Sequence, residues 1–299
     1  MSNTRIIDED FISRLEAVSL YMQIPMQGYF GGNHRTKTYG NTVEFADFRT
    51  YQLGDDIRRI DWNVYSRFEK YFIRLFVDEK QMHTQIFLDC SASMGKTDPD
   101  KGLYAMRVAA ALAFLSVKNM DKTSLKRIRG NFAEDAGGLI VGKAAFYRAV
   151  GELEETVFAG TADLATAITH TDSGADNGLT VIISDFLTES DWKKAVNYLL
   201  YRKRQVMLIQ VLSPEELDPG YKGRVRMSDS EAEDVLDERN MKMRITRAEV
   251  ETYRLALHDY LSDIKSFCAG RGVSFFSVRS DDPVEKLIFG KLNEAEAVR

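Results

Sequence analysis

Five oxygen-bearing side chains in this sequence have the types and spacing to hold a hard cation. Asp89, Ser91 and Ser93 fall in the run Gln85-Ile-Phe-Leu-Asp-Cys-Ser-Ala-Ser-Met94, where an apolar strand opens into a loop. Thr161 follows a glycine in Ala159-Gly-Thr-Ala162, and Asp185 ends a second apolar strand, Val181-Ile-Ile-Ser-Asp185. Mg2+ wants near-octahedral oxygen ligands and gives up its waters reluctantly, so short hydroxyl and carboxylate side chains on neighbouring loops suit it. Serine and threonine are neutral donors. With only two formal carboxylates, a bound Mg2+ or Mn2+ stays electrophilic enough to accept an acidic oxygen from outside. Ser91, Ser93 and Thr161 are therefore expected as direct ligands, and Asp89 and Asp185 as ligands directly or through water. One vertex remains for a partner's Asp or Glu. A lone D-x-S-x-S run is equally a turn that caps the helix after it; its occurrence together with Thr161 and Asp185, in that order, favours the ion.

Two other functions compete. An Asp-nucleophile phosphatase also starts from a strand-end Asp, but its chemistry needs a second Asp two positions on to protonate the leaving group, and Ser91 stands there. A Ser-His-Asp arrangement, a phosphate-binding P-loop and paired zinc ligands are absent from the sequence. A nucleic-acid scaffold is the third reading, taken up below.

The 299 residues are 44% apolar and 28% charged, with a formal net charge of −5, ordinary values for a globular protein. The longest apolar run, Val108 to Val117, is far short of the roughly 20 residues that cross a bilayer. The polar, acidic start lacks a signal core, and a cytoplasmic protein is expected. Two cysteines, Cys90 and Cys268, and four histidines without ligand spacing provide neither a disulfide framework nor a zinc site. Cys90 should turn away from Asp89 as buried filler.

From Met82 onward strand-like and helical runs alternate, the pattern of a mostly parallel sheet flanked by helices. Strands are expected at 83–89, 179–184, 205–212 and 273–278, with weaker candidates at 124–128 and 139–141. Helices are expected at 103–117, 143–153, 162–168, 192–201, 248–269 and 283–292. Residues 213–246, including the acidic stretch from Asp229 to Glu238, break the alternation and suggest an exposed hairpin or loop at the sheet edge. In such a sheet ligands gather beyond the carboxyl ends of the strands where strand order reverses, so neighbouring strands ending at Asp89 and Asp185 should face one crevice.

The first eighty residues form an N-terminal module, with a helix at 8–22, a loop at 29–41 and a strand at 71–77. Aromatics and arginines interleave there as they do in single-strand binders. Glu44, Asp47, Asp55, Asp56, Asp61 and Glu69 nevertheless cancel the local positive charge, which favours internal ion pairing over a phosphate surface.

His34-Arg35, Gly40, Glu44-Phe45, Arg49-x-Tyr51, Gly54-Asp55-Asp56, Arg58, Ile60-Asp61-Trp62, Arg74 and the Asp89-x-Ser91-x-Ser93-Met94 run together resemble the bacterial domain-of-unknown-function family fifty-eight. The part from residue 81 to 299 is similar to a Rossmann-like von Willebrand factor A domain, and the five site residues match that superfamily's metal-ion-dependent adhesion site. The resemblance implies a non-enzymatic adaptor working with a MoxR-type AAA+ ATPase on client proteins. Two departures accompany it: relatives often carry N-terminal membrane spans that this chain lacks, and Ser124 to Gly142 departs from the usual glycine-rich strand pattern.

Overall fold

Leu179–Ser184 is buried at every position, as a central strand covered on both faces must be. The computed structural model describes residues 6–22, 44–77, 83–95, 97, 100–171, 178–188, 190–220, 223–227 and 241–291. The loop expected at 29–41 and the acidic stretch Asp229 to Glu238 lie outside the described residues. The chain divides into two compact units, residues 1–30 with 82–299, and residues 31–81.

The smaller unit pairs β1 (Glu44–Thr50) with β2 (Phe72–Val77) in antiparallel fashion, across α2 (Trp62–Phe68). One of its acidic residues makes the ion pair expected of the interleaved charges, and two others cap helical turns. Asp55 accepts from Arg49 at 2.7 Å, Asp56 caps the 3-10 turn Ile57–Arg59, and Asp61 caps α2. Hydrogen bonds from the Gln52 backbone and from Arg49 hold the Asp55 carboxyl below its usual range. Tyr65 and Tyr71 stack at 4.7 Å.

The larger unit begins with α1 (Glu9–Met22). Ile6, Phe11 and Leu15 are buried in the same cluster as α4, so this helix packs with residues 82–299, on the other side of the sequence boundary drawn at residue 80. There follow β3 (His83–Asp89), α3 (Ala92–Gly95), α4 (Lys101–Lys118), β4 (Lys122–Arg129), β5 (Phe132–Ile140), α5 (Gly142–Glu154) and α6 (Leu164–Thr171). The second half holds β6 (Leu179–Ser184), α7 (Trp192–Tyr201), β7 (Gln205–Leu212), α8 (Pro214–Leu217), β8 (Gly223–Met227), β9 (Met241–Ile245), α9 (Arg247–Ala269), β10 (Ser274–Arg279) and α10 (Val284–Lys286).

Six of these strands form one sheet in the order β10-β7-β6-β3-β4-β5, among the described residues. All neighbours are parallel except β4 and β5, which form an antiparallel hairpin. The weak strand candidates at 124–128 and 139–141 are fragments of that hairpin. Strand alternation sorts the core into two layers. Ile86, Leu88, Val181 and Ile183 face the cluster of α1, α4 and α5, while Phe87 and Ile182 face that of α6, α7 and α9. Burial of each such side chain contributes about 1.5–3 kcal/mol.

Residues 213–246 supply α8 and the antiparallel pair β8–β9, a separate two-stranded sheet. Along α9, Leu257 and Ile264 are buried, and Tyr253 is exposed. No helix among the described residues is long and apolar enough to cross a membrane.

Candidate functional site

From β3 the chain runs outward through β4 to the edge strand β5, then returns to β6 on the opposite side of β3 and runs outward through β7 to β10. Strand order therefore reverses between β3 and β6. Their register ends with Leu88 beside Ile183, which brings Asp89 level with Ser184 and sets both aspartate-bearing tips at the reversal.

At the β3 tip Asp89 is 1% exposed. Its Oδ1 accepts from the Ser91 backbone N–H at 2.9 Å, the Asx turn that its type favours. That turn leads into α3 and sets the Ser91 and Ser93 hydroxyls 3.1 Å apart. Neighbouring vertices of an octahedron with metal–oxygen bonds of about 2.1 Å are separated by about 3 Å, so the two hydroxyls fit one ion. Cys90 points into the core below the turn, fully buried, and burial pushes its thiol up to about 12.

Backbone hydrogen bonds deliver the Thr161 loop to this turn. Ala159 N donates to Cys90 O at 3.0 Å and Ala92 N donates to Gly160 O at 2.9 Å. Gly160 takes a φ of +68° to make the bend, a conformation in which a side chain is strained. Phe158 seats the loop from below. A Cβ on Gly95 would lie 2.3 Å from the Phe158 Cβ, and one on Gly102 would lie 2.5 Å from its ring, so both glycines are required by close approach. Thr161 itself is exposed and its carbonyl accepts from Gly130 N at 2.8 Å.

At the β6 tip, Ser184 Oγ donates to Asp89 Oδ2 at 2.6 Å and accepts from Phe186 N at 2.9 Å. Asp185, 1% exposed, accepts from Leu187 N at 2.9 Å through Oδ1. The chain then turns through Phe186, whose φ of +55° is uncommon for a bulky residue. Edge-on packing against Trp192 and a hydrogen bond from the Tyr260 hydroxyl to the Phe186 carbonyl hold it there. Gln210 Nε2 donates to the Asp185 carbonyl at 2.9 Å, and its buried Oε1 has no partner among the described residues.

The electrostatics of the pair are unfavourable. Burial first, and the charge of Asp185 second, push the Asp89 carboxyl from 3.8 up to about 6, against hydrogen bonds from Ser184 and Ser91 that lower it. The sequence reading missed the cation that offsets part of this. Lys101, fully buried at the start of α4, donates to Asp185 Oδ2 at 2.8 Å and to Glu216 Oε1 at 2.6 Å. Burial alone would lower the Lys101 ammonium, but the charges of Asp185 and Glu216 raise it above its ordinary value.

Among the described residues no group of three or more His, Cys, Asp or Glu could hold a metal. The donor set at the reversal is instead two carboxylates and the hydroxyls beside them, a hard, low-charge arrangement of the kind that suits Mg2+ and unlike a zinc or calcium cage.

A family model described as "Protein of unknown function DUF58" matches residues 47–256. The uncharacterized protein Rv1480 of Mycobacterium tuberculosis is 26% identical over 294 residues, covering 92% of this chain and 87% of its own. Among solved structures, the SpRpn10 VWA domain aligns with a TM-score of 0.42 and 11% identity, over 70% of this chain and 94% of that one. A von Willebrand factor type A protein from Catenulispora acidiphila aligns with a TM-score of 0.35 and 12% identity, over 48% of this chain. This chain spans about a third of that protein's length, 35%.

Proposed function

The chain belongs to the DUF58 family, and from the geometry at its sheet reversal we propose that it is a non-enzymatic adaptor that captures an acidic side chain of a protein partner through Mg2+ or Mn2+. Ser91, Ser93 and Thr161 would hold the ion, with Asp89 and Asp185 acting directly or through water. When bound, the ion supplies an electrophilic position for an outside carboxylate oxygen. The observation that carries this reading is the convergence of two buried strand-tip carboxylates with a hydroxyl pair 3.1 Å apart. The raised Asp89 carboxyl supports it, since its causes are burial first and the charge of Asp185 second, and a bound divalent cation would offset both.

The remaining residues prepare the partner face. Asp89 and Ser184 lock the two strand tips together, and Phe158 fixes the loop carrying Thr161. The partner class, a MoxR-type AAA+ ATPase or one of its clients, is taken from the family resemblance. An Asp-nucleophile hydrolase is disfavoured because Ser91 occupies the position of its acid, and that hydroxyl is engaged with Ser93.

The test is a pull-down of the MoxR-type ATPase from the same genome, in Mg2+ and in EDTA, with the wild type and with Asp185→Asn and Ser93→Ala variants checked for folding by circular dichroism. Capture by the wild type in Mg2+, lost in EDTA and in both variants, is expected. Capture that is equal in all conditions removes the metal-dependent adaptor.

A further inference from the structure

Lys101 is buried where a cation is least welcome, at the N-terminal turn of α4. Two carboxylates from different strand ends hold its ammonium: Asp185, just past β6, and Glu216, on α8. Glu216 is itself fixed. Its Oε2 accepts from Ser213 N at 2.7 Å in a capping box, and its carbonyl accepts from the Tyr253 hydroxyl of α9 at 2.7 Å. Asp185, Lys101 and Glu216 thus form a row of alternating charge leading from the sheet reversal to α8.

Resting on the metal site put forward above, we propose that Lys101 is an internal competitor of the ion, a residue that sets the affinity of the site by holding Asp185 from behind. A positive charge bonded directly to a metal-site carboxylate repels an incoming dication and draws off part of that carboxylate's charge. The low exposure of the pair keeps water from screening this effect. Glu216 moderates it by sharing the ammonium. The two partners of the row therefore act with opposite sign: loss of the Lys101 charge tightens cation binding, and loss of the Glu216 charge, which leaves Lys101 bearing on Asp185 alone, loosens it. A purely structural ion pair has no such sign rule.

Calorimetric titration of Mn2+ alone into the full chain tests this, with wild type, Lys101→Met and Glu216→Gln compared and folding checked by thermal unfolding. Lys101→Met keeps an unbranched apolar stem that is one atom shorter and uncharged, and Glu216→Gln keeps acceptor capacity for the capping box. The expected result is binding about tenfold or more tighter in Lys101→Met and about threefold or more weaker in Glu216→Gln. Equal affinities in all three overturn the role of Lys101 and leave the metal site standing. Failure of both wild type and folded Lys101→Met to bind Mn2+ removes the metal site, and this role with it. Should Lys101→Met not fold, Glu216→Gln decides alone: weaker binding supports the competitor, and unchanged or tighter binding overturns it.

Discussion

Lys101 Nζ lies 2.8 Å from Asp185 Oδ2, and both side chains are shut off from solvent. Removing one member of such a pair leaves an uncompensated charge in the interior, which costs about 3–5 kcal/mol. The Lys101→Met protein without added metal should lose stability on that scale in urea unfolding at pH 7. Adding Asp185→Asn should restore much of it, because the stranded charge is then gone. A loss below about 1 kcal/mol in the single variant, within the range of exposed pairs, would show that water reaches the pair.

Asp89 imposes a pH dependence whose sign is opposite to that of a salt-bridged carboxylate. Its folded pKa of about 6 lies above the ordinary 3.8, through burial first and Asp185 second. The folded state therefore binds the proton more tightly than the unfolded state. Stability contributed by that proton is present at low pH and is lost as pH rises from about 4 to about 6, a change on the order of 3 kcal/mol. Unfolding midpoints between pH 4 and 7 should show a falling component in the wild type that Asp89→Asn removes. Saturating Mg2+ should also flatten it, since the ion replaces the proton. Superimposable profiles for wild type and Asp89→Asn contradict this.

Phe158 connects packing to the site. A methyl group at Gly95 would fall 2.3 Å from the Phe158 Cβ, so Gly95→Ala should displace that ring and cost about 1–3 kcal/mol as an overpacked core does. Because the same loop carries Thr161, Mn2+ affinity should fall as well. Gly151→Ala is the control. That glycine sits within α5 with nothing within 4 Å of its Cβ position, and its replacement should stabilise the protein by about 0.5–1 kcal/mol without changing Mn2+ affinity.

Much of this architecture was legible because the buried parallel strands carry short, dense apolar runs, Ile86–Leu88, Val181–Ile183 and Val206–Ile209, bounded by polar residues. His83–Asp89, Leu179–Ser184 and Gln205–Leu212 were readable to the residue for that reason. The β4–β5 hairpin was not. Lys122, Lys126, Arg127 and Arg129 crowd one strand with charge, and the other is an edge whose Glu134 and Asp135 are exposed. A bulge at Ser124/Leu125 and positive φ at Gly137 and Gly138 break its alternation further. The spacing of Asp89, Ser91 and Ser93 is local and can be read directly, whereas Asp185 joins them only through the strand order. Lys101 was hidden by its neighbour: an Asp100-Lys101 start to a helix reads as an exposed cap, and Asp100 does cap α4. Only the fold places Asp185 and Glu216 around the lysine and reveals that it is buried.

Anomalous scattering from crystals of the full chain soaked in Mn2+ locates the ion itself. An anomalous peak is expected between the β3 and β6 tips, about 2.2 Å from the Ser91 and Ser93 hydroxyls, with Asp89 and Asp185 bound to it directly or through water. A peak elsewhere, or none at saturating Mn2+ with the two serine hydroxyls still paired to each other, would contradict a metal site there.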